Sequence, residues 1–132
     1  MRILVSYPPN YAEIKKVLNP PLDAVFAFGA VLYNPSGQEL PPDILIHEEA
    51  HEKQMRGWRP ESWWTKYLMD SAFRLSVEIP AYAAQYRFVK ERIDARGAKL
   101  CLSDLAQNLA ALYNVSITVS QAETFIRKYE TG

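Results

Sequence analysis

Histidine and cysteine are the scarcest chemistry in this chain: 132 residues hold two histidines, His47 and His51, and one cysteine, Cys101. A single cysteine excludes an internal disulfide, and its neighbours Leu100 and Leu102 mark it as a small buried apolar side chain. An excess of charge of either sign is also lacking, since 15 Lys and Arg offset 15 Asp and Glu. No large positive field exists to draw in a phosphate backbone or an anionic membrane, so neither a nucleic-acid nor a membrane partner is expected. No apolar run approaches the ~20 residues of a membrane span. The opening MRILVSYPPN reaches Pro8-Pro9 before it can form the apolar core of a signal peptide. These absences predict one cytoplasmic domain over residues 1–132, and with 48% hydrophobic residues the chain has enough apolar surface for a core.

Coarse structure follows from pattern. Arg2 to Tyr7, rich in Ile, Leu and Val, predicts a strand, and Asn10 to Leu18 a short helix closed by Asn19-Pro20-Pro21. The run AVFAFGAVLYNPSG, Ala24 to Gly37, is aromatic and β-branched and ends in a turn signal; it predicts one strand with Gly29 in its middle. Pro41-Pro42-Asp43 precedes a helical pattern, and a first-turn proline loses no backbone bond, so a helix is expected from about Pro42 to Arg56, stopping at Gly57. Glu61 to Arg96 is helical again. Pro80 interrupts it, because its missing N–H and its ring predict a kink or a junction of two helices there. Ser103 to Tyr113 and Ser120 to Tyr129 predict two short helices with Ser103 and Ser120 as N-caps.

Both histidines lie in LIHEEAHEKQM, Leu45 to Met55. Residues four apart on a helix differ by only about 40° around its axis, so the two imidazoles point the same way. Glu48 falls about 100° from His47 and about 60° from His51, beside the rings and not behind them. Two neutral imidazoles that bind Zn²⁺ and a neighbouring carboxylate that takes a proton from water acidified by the metal are what metal-assisted hydrolysis requires. The rival account is a solvated charged face of Glu48, Glu49, Glu52 and Lys53. Ile44, Leu45, Ile46 and Ala50 argue against it, since an exposed helix has no use for them.

A catalytic zinc takes a third protein ligand, and no histidine remains. Glu78, Asp70 and Cys101 are the candidates. Glu78 is favoured because it shares a helical face with Tyr82 and Gln85, whereas Asp70 follows Leu68-Met69 in an aromatic-rich segment.

HEEAHEKQ, the following WW with YL and D, then FR and E-x-P-A-Y-x-x-Q-Y together resemble small gluzincin-type zinc metallopeptidases, including phage and prophage members. FAFGAVLYNPSG with its proline-bearing link is similar to the strand that precedes the active-site helix in that group. The resemblance covers Ala24 to Arg87, about half the chain. It implies metal ligands His47, His51 and Glu78, with Glu48 as general base. It also implies that the upstream strand rims a cleft where an extended peptide or protein substrate adds its backbone as another strand. Tyr82 would either brace Glu78 or stabilise the oxyanion.

The expected fold is α+β: a small, mostly antiparallel sheet packed on the HExxH helix and a second ligand-bearing helix, with two short C-terminal helices. The expected function is zinc-dependent peptide hydrolysis. Two alternatives stand beside it. One is a non-catalytic protein in which zinc staples helices and Cys101 closes the coordination. The other is a helix-turn-helix-like interaction or DNA-binding module in SDLAQNLAALYNVSITVSQAETFIRK, although Arg127 and Lys128 alone offer little to phosphates. Trp58, Trp63 and Trp64 are expected to pack rather than to bind substrate.

Overall fold

Prolines and capping side chains decide where the helices of this chain begin. The computed structural model describes residues 1–132 as β1 (Arg2–Leu4), α1 (Tyr11–Leu18), β2 (Phe26–Phe28), β3 (Val31–Tyr33), α2 (Pro42–Met55), α3 (Pro60–Met69), α4 (Ser71–Lys90), α5 (Ala95–Leu112) and α6 (Val119–Thr131). Helices α2 and α3 each open on a proline. Asp70 starts α4 by accepting from the Ala72 and Phe73 amides at 3.0 and 3.1 Å. Thr118 and Gln121 form a reciprocal capping box at α6.

The α+β class holds, but three elements differ from expectation. Ala24 to Gly37 is a hairpin and not one strand: Gly29 adopts φ +62°, a left-handed conformation open to glycine, and turns β2 back along β3. The sheet, ordered β1-β3-β2, is mixed: β1 pairs with β3 in parallel and β2 with β3 antiparallel. Helix Glu61 to Arg96 breaks at Asp70 and not at Pro80, which lies inside the 20-residue α4. A capping carboxylate rewards a new start at Asp70, whereas the cost of Pro80, about 3 kcal/mol, is outweighed by packing along both sides of α4.

The C-terminal helices also begin earlier than the serines suggest. Asp94, accepting from Gly97 N at 2.7 Å, caps α5, so Arg96-Gly97 open a helix where a stop was expected. Ser103 therefore lies within α5, an 18-residue helix, and Ser120 just inside α6.

Two apolar clusters share α4. Ile14, Phe26, Met55, Trp63, Trp64, Tyr67 and Val77 form one with the sheet and α3. Tyr82, Leu102, Leu105, Leu109, Ala122 and Ile126 form the other between α4, α5 and α6. Arg74, only 3% exposed, ties the ends together by donating to the carbonyls of Tyr67 and Tyr113, each at 2.7 Å. Trp63 and Trp64 are buried as expected, and Trp58 remains 42% exposed. No helix is long and apolar enough to cross a membrane.

Candidate metal centre

Where the two clusters meet, α2 lies against α4 and brings His47, His51 and Glu78 together. All three are buried, at 6%, 6% and 2% exposure, which is rare for such side chains unless something compensates their polarity. Glu78 Oε1 lies 3.2 Å from His47 Nε2 and 3.1 Å from His51 Nε2. The three donor atoms fall within 4.8 Å of one another and could hold a metal ion.

The donor set fits such an ion on two further counts. Ligand atoms about 2.0 Å from a common metal at tetrahedral angles are about 3.3 Å apart, close to the two separations between Glu78 and the rings. Each imidazole also has its other nitrogen occupied. His47 Nδ1 meets Gln85 Oε1 at 3.0 Å, and His51 Nδ1 meets Gln54 Oε1 at 2.9 Å. An amide oxygen only accepts, so both Nδ1 atoms carry a proton, and each Nε2 faces the shared point, where it would offer a metal its lone pair in place of a proton to Glu78. The glutamines are held in turn, Gln85 by Asp43 Oδ2 and Gln54 by the Val77 carbonyl, both at 2.9 Å.

Glu78's second oxygen, Oε2, accepts from the Tyr67 hydroxyl. Burial and the Glu78 charge raise the Tyr67 phenol well above its ordinary range, so it keeps the proton it donates. Burial also favours protonated Glu78, but the His51 charge and the hydrogen bonds from both rings hold this carboxyl below the usual carboxylate range. The His51 ring shows the converse: burial lowers it, and Glu78 overrides burial to hold it at about 9. With no metal bound, a proton therefore sits between His51 and Glu78.

Glu48 stands beside this group without joining it. It is 8% exposed, and burial raises its carboxyl above the ordinary range against the pull of His47, His51 and the Ala27 backbone. Such a carboxyl can accept a proton and give it back. Tyr82 packs edge-on against the His47 ring, 4.5 Å between centroids, and its hydroxyl lies 2.7 Å from that of Tyr113.

Two sequence candidates are elsewhere. Asp70 is exposed and engaged as the α4 cap, apart from the clustered donors. Cys101 is half-buried on α5 and is not among the clustered donors. Four contributors escaped the sequence reading: Tyr67, Gln54, Asp43 and Tyr113. Only Gln54, three residues from His51 on the same helix, left a local signal in its spacing.

The group opens onto a cleft of about 480 Å³ walled by α2, β2, the segment after α1 and the end of α5. Comparison of the chain with protein-family models, with curated proteins and with solved structures found no match.

Proposed function

We propose that this protein is a minimal zincin-like, zinc-dependent metallopeptidase, as the resemblance to gluzincins implies. The observation that carries the reading is the buried His47–His51–Glu78 donor set with the unliganded Glu48 carboxylate beside it. Nitrogen and oxygen donors in this number suit zinc, which leaves one position open in catalytic sites. Zinc bound there would polarise a peptide carbonyl and acidify water.

The residues of the chain supply the rest. Gln54 and Gln85 keep both imidazoles in the ligating tautomer, and Tyr67 keeps Glu78 aimed through Oε1. Glu48 takes the proton from the attacking water and delivers it to the leaving amine. Strand β2, an edge of the sheet, runs along the cleft, and Val25 just before it offers unpaired backbone for an extended substrate. Packing of α5 and α6 on α4 favours a structural role for these helices over DNA binding.

The test separates ligands from base. Purified without chelator, the wild-type chain should carry about one zinc per molecule by mass spectrometry. Glu78→Gln and His47→Ala should lose it. Glu48→Gln should retain it while metal-dependent hydrolysis of an unfolded protein falls by about 10²-fold or more. Unchanged hydrolysis in Glu48→Gln would sink the catalytic reading, and absence of zinc even after reconstitution would sink the metal centre.

A further inference from the structure

The walls of the cleft say what kind of chain it would accept. Of its 25 lining residues none is Lys or Arg, although the protein carries 15 of them. Its carboxylates are Glu48 and Glu78 at the donor group and the exposed Asp23 in the wall. The remaining surface is mostly apolar, with Leu18, Pro20, Val25, Leu40, Ile44 and Leu112 among its parts. Along β2 the outward carbonyl of Ala27 is already used by Trp64 Nε1 at 2.9 Å. Val25, two residues earlier and so facing the same way, has neither its N–H nor its C=O bonded within the protein.

We infer that the cleft takes an internal, extended stretch of polypeptide presenting apolar side chains, and that it turns away both acidic side chains and the carboxylate of a chain end. The inference rests on reading the cleft as a peptide site and adds the substrate class. An extended backbone can pair with the free groups of Val25 while alternate side chains press on the apolar wall. An anionic group entering the same space loses water, finds no Lys or Arg on the wall, finds the charge of His51 already paired with Glu78, and meets Asp23; a poorly compensated charge of this kind is how a site rejects a competitor. No Lys or Arg lines the cleft to pair with the carboxylate of a chain end.

Binding of short peptides to the zinc-loaded Glu48→Gln chain, followed by fluorescence polarisation, tests this without hydrolysis. Three probes suffice: an acetylated and amidated peptide with Phe-Leu at its centre, its twin with Asp-Asp there, and a version ending in a free carboxylate directly after the Leu. The blocked apolar peptide should bind, and each of the others should bind about tenfold more weakly or worse. Equal or tighter binding of either anionic probe, or no binding of the blocked peptide, overturns the inference. The metal-stripped wild-type chain is the second arm and should give the same ranking, free of any direct hold of the metal on a carboxylate. Hydrolysis with the ranking reversed defeats this inference alone; the ranking without zinc-dependent hydrolysis supports it and defeats the peptidase reading alone.

Discussion

Glu48 and Glu78 are both buried, and their neighbours drive them apart. The His51 charge and the hydrogen bonds at both rings hold Glu78 below the usual carboxylate range, whereas burial raises the Glu48 carboxyl above its ordinary range. On the proposed reading, opposed environments of this kind would divide a ligand from a base. The metal-free protein should reveal the His51–Glu78 pair through pH. His51 rises from 6.5 to about 9 on folding, so its stabilisation is complete below about 6.5 and disappears as pH climbs through about 9. Glu78 is shifted the other way, and its contribution is present above about 4.5 and lost as pH falls below that. Urea unfolding in the presence of chelator should therefore show falling stability between pH 6.5 and 9; a flat profile would count against the pair. Tyr67→Phe tests the other side of Glu78. It removes one donor to a buried carboxylate, and zinc affinity measured by competition should drop about tenfold or more.

At the scale of the element, two backbone positions make opposite predictions. Pro80 removes an N–H from the middle of α4, which stays helical because α2, α5 and α6 pack against it. Pro80→Ala restores a bond to the Ser76 carbonyl and relieves the ring's crowding, so the melting temperature should rise, with the gain limited by the greater freedom of the unfolded chain. Gly29→Ala should act in reverse. Its φ of +62° is strained for any side chain, and the added Cβ would lie 3.1 Å from Pro60 Cγ. A loss of about 1–2 kcal/mol in chemical unfolding is expected, and a neutral result would mean the β2–β3 turn rearranges without cost. Sequence periodicity located α2 to within a residue of its observed end, yet it misplaced the α3–α4 break. Pro80 is a strong local stop signal, but its effect is settled by neighbours that the pattern does not contain.

For the molecule as a whole, α4 is the shared wall of two apolar clusters, and the donor group sits where α2 crosses it between them. A metal bound there would tie α2 to α4 and add its binding free energy to folding. Zinc at 100 times its dissociation constant should raise stability by about 2.7 kcal/mol, visible as a concentration-dependent melting temperature that chelator reverses. A melting temperature indifferent to zinc would place no metal at this junction.

The sequence alone determined the pairing of His47, His51 and Glu48. Helix geometry repeats every 3.6 residues through bonds that are local, so spacing by itself aims two imidazoles together and sets the carboxylate beside them. The first-turn proline of α2 and the α+β class were also legible. Only the tertiary structure decided which carboxylate completes the donor group. Glu78 reaches His51 across 27 residues and Gln85 reaches His47 across 38, and such contacts depend on where α4 lies once apolar surface is buried. Asp70, an equal candidate by residue type, was drawn instead to two backbone amides at its own helix end, because a local cap is available as soon as that helix begins.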